Sequence, residues 1–229
     1  MAAESRQGMI ASMPQSKLPE FLEASPCPFA RRASVPLGCL WPDPDPTPAR
    51  LDELADRLGR FSADRSEDVC VLEIQGARAN LRSVASAGRL LYSTLRGLRQ
   101  RDPQLARPLT QGIEDPSWDF EFRGLSYFIS FFGSFYPGWH SRYSGFDDVS
   151  FLLFQPERGF RRFGVSSERD DRRELSRRVH RHFTRKGKPY DLDLNLSAPK
   201  SLRYLKPVHS GEPPIAWWRE ASGPARANG

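Results

Sequence analysis

The chain has 229 residues and a formal charge of +6, a length that suits one α/β domain with tails. Its apolar and aromatic content is ample for one core, and no run approaches the roughly 20 apolar residues of a membrane span. The positive charge permits nucleic-acid binding, but much of it lies in residues 172–185, where a solvated helix face is the commoner cause.

Both ends of the chain differ in composition from its middle. Residues 1–20 are polar and without periodicity, which predicts a disordered tail. They include no apolar stretch of the kind found in a secretory signal, so we expect a cytoplasmic protein. Residues 211–229 are expected to form a C-terminal tail, which Trp217 and Trp218 anchor. Between these tails, residues 21–210 are predicted to fold as a single domain.

The three cysteines indicate a reducing compartment. Cys27, Cys39 and Cys70 are an odd number and form no CxxC pair, which argues against a structural zinc site or a disulfide framework. Cys27 lies between prolines in an apolar setting, so we interpret it as an inert buried thiol rather than as a nucleophile.

Regular elements begin after a proline-rich segment, residues 25–50, which excludes a long helix or strand there. Thr47 and Pro48 are helix start signals, a hydroxyl cap followed by a proline at the first helical position. An apolar run at 69–74 predicts a buried strand. Apolar residues at steps of three and four then predict a helix over about 80–100.

The aromatic stretch 118–160 organises the rest of the chain. Alternating aromatic and polar residues predict a first strand, and Arg123 with Gly124 predicts a tight turn. The apolar run 125–132 then predicts the returning strand, and 149–154 predicts a third. Together with the helices, these strands predict a mixed α/β fold with a central, mainly antiparallel sheet flanked by helices.

The loop 133–148 between the last two strands permits two interpretations. In the first, its aromatic residues cap the core of a hairpin. In the second, the loop forms a ligand pocket at the end of a strand, with His140 available to a metal or a substrate. The spacing alone does not decide between them. The candidate residues beside His140 are Tyr136, Trp139 and Arg142.

The arginine-rich segment 172–185 is predicted to form a helix with a narrow apolar stripe. It is either a solvated helix or a face that binds an anion, such as nucleic acid, a phosphate or a propionate. His180 and His182 lie two residues apart, so they point to different faces of the helix and cannot bind one metal together.

The usual catalytic motifs are missing from the sequence. We find no glycine-rich nucleotide fingerprint, no P-loop, no HExxH and no GxSxG in a fitting context. This argues against a standard dehydrogenase or kinase. If the chain is an enzyme, a bound cofactor would carry the chemistry.

Five motifs, in the order found here, resemble those of the YqcI/YcgG family. They are SPCPFARRA at 25–33, LRGLRQRDP at 95–103, EDPSWDFEFRGLSYFISFFG at 114–133, FYPGWHSRYS at 135–144 and FLLFQPERGF at 151–160. The resemblance covers about residues 26–160. The glycine- and asparagine-rich motif that ends the family's pattern is not recognisable after Phe160.

Several members of that family look like heme-dependent N-oxygenases, which hydroxylate guanidine or amine nitrogens of amino-acid-derived substrates in natural-product biosynthesis. The resemblance implies heme b, O₂ or peroxide as oxidant, and a small cationic substrate. It implies His140 as axial ligand of the heme iron, with Arg142 facing a propionate or a substrate carboxylate. Trp139 and the aromatic strand 127–132 would then line the heme pocket.

A second choice of ligand stays open. Some family members carry a histidine directly before the loop proline, where this chain has Tyr136 followed by Pro137. Because tyrosinate also binds heme iron, Tyr136 is the alternative to His140.

The predicted function is therefore oxygenation of a nitrogen by an oxidoreductase of the monooxygenase type. The main alternative is a non-catalytic binding protein that docks an anionic partner on the arginine helix 172–185, and a third hypothesis is an enzyme of the same fold without heme. Asp147 and Asp148 could receive a guanidinium, although a turn or capping role is the simpler interpretation. We expect no membrane partner, and we expect nucleic acid less than a small substrate. A homodimer is compatible with the sequence.

Overall fold

A five-stranded mixed sheet lies at the centre of the computed structural model, which describes residues 15–36, 38–104, 108–163 and 169–220. The strand order is β1-β2-β5-β4-β3, with β1 parallel to β2 and every other pair antiparallel. The predicted single mixed α/β domain is confirmed. The strands are β1 Cys39–Trp41, β2 Cys70–Ile74, β3 Phe120–Phe122, β4 Leu125–Phe132 and β5 Ser150–Pro156.

Helices flank this sheet. Two short 3-10 turns also occur, Ala30–Arg32 between α1 and β1 and Lys200–Arg203 between α7 and α8. No helix among the described residues combines the length and apolar composition needed to span a bilayer. The helices are α1 Leu18–Ala24, α2 Pro48–Ala63, α3 Ala77–Asn80, α4 Val84–Gln100, α5 Glu157–Arg162, α6 Arg169–Arg185, α7 Leu192–Ser197 and α8 Trp217–Glu220.

The first face of the sheet packs against α2 and α4, and this layer holds the larger core. The Thr47 side chain accepts a hydrogen bond from the Arg50 amide and so caps α2 as predicted. A capping box at Ser83 begins α4, a few residues later than the predicted start near residue 80. Gly97 lets the two helices approach closely, because a Cβ there would lie 2.5 Å from the Leu51 Cδ1.

The second face of the sheet is covered at one end by α1, where Phe21 stacks on Phe151 with ring centroids 4.3 Å apart. The buried carboxylate of Glu73 holds the residues before α1, accepting hydrogen bonds from the Lys17 amide at 2.9 Å and from the Ser16 hydroxyl. The prediction of disorder up to residue 20 is therefore wrong for residues 16–20, while residues 1–14 lie outside the described part.

The β3–β4 hairpin forms as predicted around a tight turn. Arg123 has φ +48° and Gly124 has φ +73°, the two positive values that a type I′ turn requires. The Asp102 carboxylate accepts a hydrogen bond from the Arg123 amide at 2.6 Å, which supports the less usual conformation of a non-glycine residue.

Two features of the fold were not predicted. The short strand β1 lies within the proline-rich segment, because three residues between prolines suffice to pair with β2. The segment after residue 210 was expected to be a tail anchored by Trp217 and Trp218; both are buried in the larger core, and the helix α8 that they begin is the part that was not predicted.

Candidate functional site

A cavity of about 290 Å³ lies between the second face of the sheet and helix α6. Such a volume is at the small end of the range for ligand sites. Strands β4 and β5 form its floor, α6 forms its roof, and α1 with the segment around Cys27 closes one side. The walls are predominantly apolar and include several aromatic rings, among them Phe21, Phe29, Phe128, Phe132, Phe160 and Phe183.

The alternation of β4 explains why space remains on this face. Tyr127, Ile129 and Phe131 point to the packed face and are fully buried in the larger core. Ser126 and Ser130 lie on the cavity face, where their small side chains leave room. Ser130 also accepts a hydrogen bond of 3.0 Å from the Gln155 side chain, which puts an amide on the floor.

Arg142 brings a positive charge to this apolar cavity. It follows the β4 strand on the loop, it is only 7 % exposed, and its side chain lines the cavity. Its guanidinium lies 4.9 Å from the centroid of the Phe132 ring, a cation–π contact. Nη2 donates a long hydrogen bond of 3.4 Å to the carbonyl oxygen of Arg203.

The charge of Arg142 lacks a counter-ion within the described residues. Nη1 is buried without a hydrogen-bond acceptor there, and no ion pair involves this guanidinium. Burial lowers the pKa of Arg142, but an arginine starts so high that it stays protonated at neutral pH. A buried cation without a counter-ion is costly, and a bound anion would remove that cost.

His140 occupies the predicted loop but does not line the cavity. Both of its ring nitrogens are engaged: Nε2 lies 3.1 Å from the Pro207 carbonyl oxygen, and Nδ1 accepts a 3.0 Å hydrogen bond from the Arg142 amide. This fixes a neutral ring that donates through Nε2. Burial is the main cause that lowers the pKa of His140 to about 3. As arranged, His140 does not fit the role of heme ligand.

Tyr136 does not fit that role either. Its hydroxyl donates a 2.6 Å hydrogen bond to the Lys206 carbonyl oxygen, and its ring stacks on His140 with centroids 4.0 Å apart. Burial raises the pKa of Tyr136, so the tyrosinate that would bind iron is disfavoured. Trp139 is 43 % exposed on the outer side of the loop and does not line the cavity.

The other aromatic residues of the loop pack on the core, as the first interpretation of the loop predicts. Tyr136 belongs to the larger core, and Phe135 and Tyr143 pack against it. The two interpretations of the loop therefore apply to different residues. Phe135, Tyr136 and Tyr143 are structural, whereas Arg142 and the neighbouring Ser141 reach the cavity.

Cys27 is a cavity residue, which its sequence context did not indicate. Burial is the main cause that raises the pKa of its thiol, while the amides of Phe29 and Ala30 act in the opposite direction. The thiol form is therefore favoured, which is compatible with the predicted lack of nucleophilic reactivity.

The acidic pair beside the loop lies outside the cavity. The Asp148 side chain accepts a hydrogen bond of 2.7 Å from the Arg78 amide at the start of α3. Asp147 accepts one of 3.2 Å from the Tyr143 hydroxyl. Both aspartates are exposed, and their contacts are those of the capping and turn role. Among the described residues, no three His, Cys, Asp or Glu side chains are grouped to hold a metal ion.

The arginine-rich segment forms α6, and its two faces differ. Leu175, Val179 and Phe183 turn toward the cavity, so the narrow apolar stripe forms its roof. His180 Nδ1 lies 2.8 Å from the carbonyl oxygen of Tyr190, which ties the helix to the segment that follows it. The exposed arginines on the outer face are Arg173, Arg177, Arg178, Arg181 and Arg185.

The sequence did not predict two residues of the site, Tyr190 and Lys206. Tyr190 lines the cavity close to Arg142. Lys206 lies behind it, 2 % exposed, with Nζ 4.0 Å from the centroid of the Tyr190 ring. The sequence gives no signal for a buried lysine, because lysine is nearly always exposed. The small serine side chains of β4 were the feature of the sequence from which the cavity could have been predicted.

No protein-family model matches the sequence, and comparison with curated proteins and with solved structures found no match. The class of the protein is therefore described from its fold and its site alone. The chain is a mixed α/β domain with an internal aromatic cavity that carries a buried cation. The resemblance to the YqcI/YcgG family stays a prediction from the motifs.

Proposed function

We propose that the protein binds a small organic anion with an apolar body. The apolar body occupies the aromatic cavity between β4 and α6, and the negative group pairs with the guanidinium of Arg142. The observation that carries this proposal is the buried Nη1 of Arg142, which has no acceptor among the described residues although its side chain lines an apolar cavity.

The site has two unlike parts, apolar aromatic walls and a buried cation. Aromatic walls favour an apolar ligand body because its transfer from water is favourable. A charge-assisted pair between guanidinium and carboxylate is among the stronger hydrogen-bonded contacts, and low dielectric surroundings strengthen it. A cationic ligand would meet Arg142 as a like charge. Three carboxylates also line the cavity, those of Asp68, Asp119 and Glu157. Asp68 is paired with Arg162 and Asp119 with Lys200, which makes these two less available to such a ligand. The site therefore favours an acid over the cationic substrate that the resemblance implies.

A titration with three ligands of one chain length tests the proposal. We expect octanoate to bind more tightly than octanol, and octanol more tightly than octylamine, because the three share an apolar body and differ in head-group charge. Isothermal titration calorimetry at neutral pH measures the ranking. Equal affinities, or a preference for octylamine, would contradict the role of Arg142.

Heme-dependent N-oxygenation remains a separate proposal, supported by the motifs of the resemblance. An absorption spectrum of protein expressed with heme supply tests it, and no Soret band after heme titration would remove it. Because hydrogen bonds occupy both ring nitrogens of His140, we expect His140→Ala to leave any such spectrum unchanged. A band lost only in His140→Ala would restore this residue as the ligand.

The exposed face of α6 supports a second candidate, docking of an anionic partner. Glu174 pairs with Arg177 at 3.8 Å and with Arg181 at 3.0 Å, which leaves the face strongly positive. Binding of a DNA duplex that weakens steeply as salt rises would support this candidate. The double variant Arg173→Glu, Arg185→Glu should then lose that binding, and no binding even at low salt would remove the candidate.

A further inference from the structure

Lys206 stands directly behind the charged end of the cavity. Its Nζ is buried without a hydrogen-bond acceptor among the described residues and lies over the ring of Tyr190. Tyr190 lines the cavity, so one aromatic ring separates the amine from the ligand space. The backbone carbonyl of Lys206 is held by the Tyr136 hydroxyl, which fixes the main chain at this position.

The surroundings of Lys206 carry more positive than negative charge. Arg142 and Arg203 are its cationic neighbours, and Asp191 is the carboxylate that opposes them. His140 beside it is neutral. Burial, and then the charge of Arg142, lowers the pKa of Lys206 well below its usual range.

The other groups around the Lys206 amine do not change this balance of charge. Tyr190 faces it with a neutral ring, whose pKa burial raises. His209 shares a second, small pocket with Lys206, and it is exposed there, with its ring centroid 5.7 Å from that of Trp139. The positive charge at this end of the cavity is therefore carried by the buried Arg142 and the half-buried Arg203.

We infer that Lys206 is a second cation of the anion site and selects a ligand whose head group is a dianion, such as a phosphate monoester with an apolar body. The inference rests on the proposed function. A dianion brings one more negative charge to this end of the cavity than a monoanion does. That charge favours the protonated form of the amine behind Tyr190. Lys206 is thus a positioning residue that acts through the electrostatic potential.

The linkage between proton and ligand has a definite sign. The amine has a lowered pKa in the free protein, and a bound dianion raises that pKa. Affinity for a dianion is therefore highest at lower pH and falls as the pH rises through the value for the complex. A phosphate monoester has a second pKa of about 6, so the ligand itself stays dianionic above that pH, and a decrease in affinity there comes from the amine.

Calorimetry with octyl phosphate and octanoate tests the inference on the full chain. We expect the wild type to prefer octyl phosphate by about tenfold, because the protonated amine adds electrostatic attraction without touching the ligand. Titrations in two buffers of different ionisation enthalpy should show uptake of about one proton with octyl phosphate. Lys206→Met should lose both the preference and the proton uptake while binding octanoate as before. The exposed Lys186→Met is the matched control and should change neither.

The results of these titrations distinguish a failure of the inference about Lys206 from a failure of the proposed function. Equal affinity for both ligands without proton uptake by the wild type overturns the inference and leaves the proposed function intact. Failure of both ligands to bind overturns the proposed function itself. The proton count on the wild type decides the question even if Lys206→Met does not fold.

Discussion

Replacing Arg142 with methionine is expected to weaken octanoate binding by about 10- to 100-fold, the loss that removal of a charge-assisted hydrogen bond produces. Binding of octanol should be almost unchanged, because the aromatic walls remain. The variant should also be more stable without ligand, by about 1–3 kcal/mol, since it removes a buried charge that lacks a counter-ion. Calorimetry and chemical denaturation measure the two effects.

Opposite changes in affinity and stability are the signature of a residue kept for binding. The exposed Arg89→Met on α4 is the control and should alter neither property. A variant that binds octanoate as the wild type does would show that the anion is held elsewhere. A large loss of stability in Arg142→Met would instead assign the residue a structural role, through its contacts with Phe132 and Arg203.

The substitution Trp217→Ala is expected to lower the free energy of unfolding by about 3–5 kcal/mol, the usual cost of truncating a buried tryptophan. Trp217 is fully buried, its indole donates a 2.8 Å hydrogen bond to the Ser201 carbonyl oxygen, and it stacks on Tyr204. The Tyr204 hydroxyl in turn donates to the carbonyl oxygen of Tyr127 in β4. The substitution therefore weakens a connection between the C-terminal segment and the sheet.

Trp139→Ala is the matched control, because it removes the same side chain from a position that is 43 % exposed. We expect it to change the free energy of unfolding by less than about 0.5 kcal/mol. Urea denaturation of both variants makes the comparison. Similar losses in the two variants would contradict the placement of the C-terminal segment in the core.

Local signals explain why much of the sheet and its first layer could be predicted. The β3–β4 hairpin follows from alternating aromatic residues and from the turn at Arg123 and Gly124. Helix α2 follows from the cap at Thr47. In each case the residues that decide the structure are close together in the sequence, so a single sequence contains the information.

The site could not be predicted in the same way, because it is built from contacts between residues that are distant in the sequence. The resemblance to the YqcI/YcgG family implied His140 as heme ligand, but its Nε2 contacts the carbonyl oxygen of Pro207, 67 residues later. The roof of the cavity is supplied by α6, whose position over β4 no local pattern indicates. Lys206 is buried although lysine is usually exposed, so its residue type gave no reason to place it in the site.

A crystal structure of the protein with octanoate tests the central claim most directly. We predict the hydrocarbon chain between β4 and α6, and a carboxylate oxygen at about 2.7–3.2 Å from a guanidinium nitrogen of Arg142. A carboxylate that points to solvent, or a ligand held beside Trp139 and His209 with the aromatic cavity empty, would contradict the account.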